Sequence, residues 1–124
     1  MLTYSISGPI LELKGVGVYA TEDVAAVLTA AKNDPHFPTP TRLLIDIRES
    51  EISHSFADVR ARLTLIEEQL GRSMVPFVAF VVVGVARDRL AQIYQTRAKE
   101  TSAFHIEVFT DPGEARAWLV SQKG

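Results

Sequence analysis

Apolar and polar positions alternate along residues 2–7 and again along residues 10–19, with Ser7-Gly8-Pro9 between them. This pattern predicts two strands joined by a tight turn into an antiparallel pair. Gly15 and Gly17 interrupt the second strand, and a glycine inside a strand marks a bulge or a close approach of neighbouring groups. From Thr21 the period lengthens, and Val24, Val27, Leu28 and Ala31 fall on one helical stripe. Thr21 stands where a cap is expected, while Glu22 and Asp23 suit the positive end of the helix dipole. The prolines within residues 33–41 stop that helix and make a surface connector that carries His36.

Arg42 opens an apolar strand, Leu43-Leu44-Ile45-Asp46-Ile47, that ends at Arg48. A polar loop with Glu49, Ser50, Ser53, His54 and Ser55 then feeds residues 56–70, where Phe56, Val59, Leu63, Ile66 and Leu70 recur at helical spacing and Gly71 is placed to end the helix. Residues 77–83 are apolar on both faces, as a central strand with helices above and below requires. A helix over residues 87–100 brings Leu90, Ile93, Tyr94 and Arg97 near one face, and residues 105–109 read as the last strand. Asp111-Pro112-Gly113-Glu114 supplies an N-cap, a proline at the first helical position and a capping-box acid for a short helix burying Ala115, Trp118 and Leu119. The order β-β-α-β-α-β-α-β-α predicts an α/β fold, one domain over residues 1–124, with a mixed, mostly parallel sheet and right-handed crossovers. The pattern does not set the order of strands in the sheet.

Composition narrows the function classes. With 124 residues, 47% hydrophobic and 23% charged, the chain has the make-up of an ordinary globular domain. A net charge of -2 supplies no concentrated basic face, so neither nucleic acid nor an anionic membrane is an expected partner. The absence of cysteine excludes disulfides, thiolate metal sites and cysteine nucleophiles. The longest apolar run, residues 75–86 with Pro76 and Gly84 inside it, falls short of the roughly 20 residues that span a bilayer. No signal-peptide pattern opens the chain, which makes a cytoplasmic location the expectation.

In an open α/β sheet, ligands and partners dock in the crevice outside the carboxyl ends of the parallel strands. The loop after Arg48 is the best candidate for such a place. Asp46, His54 and Ser55 are the residue types of a nucleophilic triad, but Ser53, His54 and Ser55 are chain neighbours and no Gly-x-Ser-x-Gly elbow is present. Asp46, inside an apolar strand, is expected to satisfy loop amides or an arginine such as Arg48. His36, His54 and His105 have no ligand-type spacing, so no metal is expected, and no cofactor. Gly84-Val85-Ala86-Arg87 makes Arg87 a candidate anion contact at a strand-to-helix turn, without the glycine spacing of a nucleotide loop. Tyr94 and Trp118 are the large aromatics available to line a small apolar pocket or to fill the core.

Four segments carry a resemblance: Leu43-Leu44-Ile45-Asp46-Ile47-Arg48, Val78-Ala79-Phe80-Val81-Val82-Val83, Leu90-Ala91-Gln92-Ile93-Tyr94-Gln95, and Val108-Phe109 followed by Glu114-Ala115-Arg116-Ala117-Trp118-Leu119. In this order the chain resembles the STAS domain, the SpoIIAA-like fold of bacterial anti-sigma-factor antagonists, and its uncharacterised relatives. In the antagonists a regulatory serine opens the helix after the third strand, and its phosphorylation controls binding to a kinase that is also the anti-sigma factor. Counted from Asp46 that serine falls on Ser55, where His54, Phe56 and Ala57 replace the surrounding Asp and Ser-Gly. The resemblance thus implies a non-enzymatic regulatory module that binds a protein partner, a kinase or anti-sigma-like protein. Ser55 is its candidate phosphoacceptor, and Glu49, Ser53 and His54 are contacts beside it. A small-molecule or lipid ligand, held in a cleft between the third and fourth helices and the sheet, is the alternative.

Overall fold

The computed structural model describes residues 1–50, 56–101 and 104–122, without the side chains of residues 56–60, 86, 87, 90, 97, 98, 100 and 101. Strands β1 (Leu2–Ser7) and β2 (Ile10–Gly17) form the antiparallel hairpin, in register from Leu2 opposite Gly15 to Ser7 opposite Ile10. Gly8 turns the corner at φ +57°, a left-handed conformation that glycine adopts without the steric cost of a Cβ. Helix α1 (Thr21–Lys32) leads to β3 (Thr41–Ser50), α2 (Phe56–Leu70) to β4 (Met74–Val81), and α3 (Arg87–Thr101) to β5 (His105–Phe109), with α4 (Pro112–Ser121) last.

The strands lie in the order β1-β2-β3-β4-β5, and every pair after the hairpin is parallel. Three successive crossovers therefore advance in one direction across the sheet. With one handedness they place α1, α2 and α3 on the same face. That face holds the main core, where Leu11, Leu43, Val78 and Ile106 from the strands meet Leu28, Leu63 and Tyr94 from the helices. Phe80 and Tyr94 stack with ring centroids 4.2 Å apart. Helix α4 is not a crossover and covers the opposite face, packing Ala115 and Leu119 on Leu44, Ala79 and Val81.

Both ends of α4 are fastened. The Asp111 carboxylate accepts from the Glu114 N–H at 2.9 Å, with Pro112 at the start of the helix, as the sequence predicts. At the other end the Arg42 guanidinium donates to the Leu119 and Gln122 carbonyls at 2.6 and 2.7 Å, satisfying acceptors that a helix terminus leaves open. Trp118 is half-buried rather than buried, lying edge-on to Phe77 at 5.8 Å and beside Phe109. The cap of α1 also differs from expectation: Ala20 occupies the cap position, and its N–H donates to the Asp23 carboxylate at 2.7 Å. The Thr21 hydroxyl is not the cap; instead an acid three residues after Ala20 satisfies the cap residue's own amide.

Candidate functional site

The carboxyl ends of β2, β3 and β4 come together at one end of the sheet. β2 loses register with β3 between Lys14 and Val16, so the glycine that weakens the strand pattern does sit at an irregularity. Gly15 is buried there, and a Cβ would stand 2.4 Å from Ser50 Oγ and 2.5 Å from the Tyr19 ring. Removing the side chain lets Tyr19 fold over the strand end, where its hydroxyl and that of Ser50 lie 3.1 Å apart. The Arg62 guanidinium sits 5.2 Å above the Tyr19 ring and reaches the Tyr19 carbonyl at 3.3 Å and Thr21 Oγ1 at 3.4 Å. A cation over an aromatic face is attractive. Tyr19 thereby couples the ends of β2 and β3 to the middle of α2.

Beneath Tyr19 and Arg62 lies an apolar cavity of about 40 Å³, floored by Leu13, Ile45, Phe80 and Tyr94. Burial pushes the Tyr94 phenol well above the usual tyrosine range and keeps it neutral at physiological pH. Ligand pockets run to roughly 300–1,000 Å³, so this space suits a few atoms and not an acyl chain. The expected cleft shared by the third and fourth helices is not formed. Tyr94 of α3 packs on Phe80, and Trp118 of α4 packs on Phe77 and Phe109, on opposite faces of the sheet. A larger open groove, about 710 Å³, lies at the other end of the molecule between Lys32, Glu67, Arg72 and Phe104.

On the α4 face, the strand end is polar and paired. Asp46 is buried and accepts from the Arg48 backbone N–H at 3.1 Å and from its guanidinium at 3.0 and 2.7 Å. Burial alone would raise the Asp46 carboxyl, but these hydrogen bonds and the positive charge outweigh it and hold the group below the usual carboxylate range. Arg48 is the partner expected of Asp46 from the strand pattern. Glu49, a candidate contact, is exposed and pairs with Lys14 at 3.2 Å. Glu12 and Arg116 add a further ion pair on this face.

Ser53, His54 and Ser55 lie outside the described residues. Ser55 immediately precedes Phe56, the first residue of α2. Arg87 begins α3 after a short 3-10 turn, Gly84–Ala86, and its side chain too lies outside the described set. The structure adds a feature that the strand pattern did not single out. Val16, Val18, Val83 and Val85 are exposed at the carboxyl ends of β2 and β4, the two strands that neighbour β3. Met1 is exposed beside them, and among the described residues Val120 is the large exposed hydrophobic that lies elsewhere. Their signal was present as valines in short glycine-flanked stretches, Gly17-Val18 and Val83-Gly84-Val85, where connecting segments are ordinarily polar.

Five strands in sequential order, one antiparallel pair, three helices on one face and a fourth on the other define a SpoIIAA-like α/β fold. The chain superposes on the crystal structure of an uncharacterized protein of the DUF3478 family with a SpoIIAA-like fold, from Shewanella loihica PV-4, with a TM-score of 0.63 and 22% sequence identity. The match covers 96% of this chain and 92% of the Shewanella chain, and the fold implied by the sequence resemblance is the one observed. No family model and no curated protein matches the chain. No helix among the described residues is long and apolar enough to cross a membrane.

Proposed function

We propose that the protein is a non-enzymatic, cytoplasmic regulatory module that binds a protein partner through the carboxyl end of its sheet. Glu49, Ser53, His54, Ser55 and the start of α2 form the polar centre of the contact. Val16, Val18, Val83 and Val85 form its apolar flanks. The observation that carries the reading is that Val16, Val18, Val83 and Val85 are exposed at the carboxyl ends of the two strands that neighbour β3, since exposed apolar groups rimmed by polar ones mark interaction surfaces. The SpoIIAA-like fold supports it by analogy, because the corresponding helix start is the switched position in the antagonists. A phosphate on Ser55 would meet the free amides and positive dipole end of α2 while adding charge at the centre of the surface.

The test is affinity capture from native cell extract with the wild type, followed by titration of the purified partner. Val18→Asp and Val85→Asp are each expected to weaken binding roughly ten-fold, the loss typical of a charge or truncation at a hot spot. Ser55→Asp is expected to change affinity as well, reporting the switch. Capture that is equally strong with both valine variants, or retention on anionic vesicles with no protein partner, would overturn the proposal.

A further inference from the structure

The two edges of the sheet are built differently. The β5 edge is five residues long, carries His105 and Glu107, and is covered by α3, whose Gln95 side-chain amide donates to the Ile106 carbonyl at 3.0 Å. Charges and covering elements are the devices that keep one sheet edge from adding to another. The β1 strand lacks such charges: Leu2–Ser7 holds no charged residue and no proline, and its pairing with β2 runs without a bulge.

The open side of β1 can be read residue by residue. The Val16 N–H donates to the Met1 carbonyl at 2.7 Å, so odd-numbered residues turn their backbone groups toward β2, and Leu2, Tyr4 and Ile6 turn theirs outward. The side chains of these three are half-buried along the margin of the main core, with Val27 and Phe37 partly buried at the same core. Thr3, Ser5 and Ser7 are exposed on the opposite face. The strand is self-complementary about Tyr4. Laid antiparallel on a second copy, it sets Leu2 opposite Ile6, Tyr4 opposite Tyr4, and Thr3 opposite Ser5, like beside like on each face.

We propose that β1 pairs with β1 of a second copy of this chain, antiparallel about a two-fold axis at Tyr4, so that one sheet runs through both. Every outward N–H and C=O of Leu2, Tyr4 and Ile6 then finds a partner, and the half-exposed apolar margin is covered. The contact is isologous, so it closes at two copies. The Tyr4 hydroxyl already has its acceptor in the Asp34 carboxylate at 2.8 Å. The antiparallel arrangement points the carboxyl ends of the two sheets in opposite directions, which leaves both valine-flanked surfaces free. The pairing is therefore independent of the proposed partner site.

Sedimentation velocity across a wide concentration range, with amide hydrogen exchange at its two ends, tests this. The wild type is expected to dimerise in roughly the micromolar range, with the Leu2, Tyr4 and Ile6 amides gaining protection as the dimer fills. Combining Thr3→Lys with Ser5→Lys puts like charges opposite one another across the axis and is expected to give a monomer with unchanged circular dichroism. Thr3→Glu combined with Ser5→Lys puts opposite charges there and is expected to restore the dimer. A wild type that stays monomeric throughout, a dimer indifferent to the two-lysine variant, or protection that appears away from β1 would overturn the pairing. Should the two-lysine variant fail to fold, the wild-type exchange profile decides alone.

Discussion

Gly15→Ala is expected to lower stability by about 2 kcal/mol, read as a shift in the urea midpoint at unchanged slope. The added methyl would stand 2.4 Å from Ser50 Oγ and 2.5 and 2.6 Å from the ring edge and hydroxyl of Tyr19. Replacing glycine also restricts the unfolded chain, a gain of roughly 0.4–1 kcal/mol, so the clash has to exceed that. Ser50 is able to turn aside. Tyr19 is held more firmly, its ring buried in the main core and lying under the Arg62 guanidinium. Displacing the ring breaks its contact with Ser50 and lifts the cover of the small cavity.

Ser50→Ala provides the reference, because it removes the hydrogen bond and adds no bulk. It is expected to cost about 1 kcal/mol. A Gly15→Ala loss no larger than this would show that the close approach yields easily. Ser50 is the last residue of β3 before the junction, so the rearranged strand end is also expected to weaken partner capture. Val120→Asp, exposed on α4 away from the surface, is expected to leave capture unchanged.

The elements were legible where one physical signal dominated. Residues 105–109 and the Asp111-Pro112 start of α4 were read correctly because alternation and cap chemistry are local. The bulge at Gly15 was readable for the same reason. The face on which each helix packs was not local information. Residues 77–83 showed that β4 needs cover on both sides, but which helix covers which side follows from strand order and crossover hand. Without strand order, α3 and α4 looked able to share a cleft, whereas the sequential sheet separates them. The Thr21 cap was misplaced because a hydroxyl and an acid two residues apart both offer plausible capping, and the Asp23 contact with Ala20 prevails. At the candidate site, polar residues drew attention to the loop through Ser55. The valines that flank it were hidden, since an apolar residue next to a strand reads as a continuation of that strand.

Asp46→Ala is expected to cost about 2–3 kcal/mol at neutral pH. Asp46 is 3% exposed, and its carboxylate accepts three hydrogen bonds from Arg48. Removing it strips the Arg48 N–H of its acceptor and the guanidinium of its counter-charge. Loss of one partner from a fully buried ion pair costs more, roughly 3–5 kcal/mol, but the Arg48 side chain is 38% exposed and is able to turn to water. Asp46→Asn keeps an acceptor for the backbone N–H and separates the charge from the hydrogen bond. The folded pKa of Asp46 lies below the ordinary carboxylate value, so its contribution is fully present above the unfolded pKa of about 3.9 and is lost as pH falls through the folded one. The stability gap between wild type and Asp46→Asn, measured by urea unfolding, is therefore expected to be widest near neutrality and to close in the acid range. A gap that stays constant into acid would mean that the ionised form contributes nothing. Asp46 shares the α4 face with Leu44, two residues earlier on β3, and Leu44 is fully buried in the smaller core. The Asp46–Arg48 pair thus caps that core at the end of the strand. A polar residue within an apolar strand, with its arginine two positions on along the same face, marks the place where β3 leaves the core.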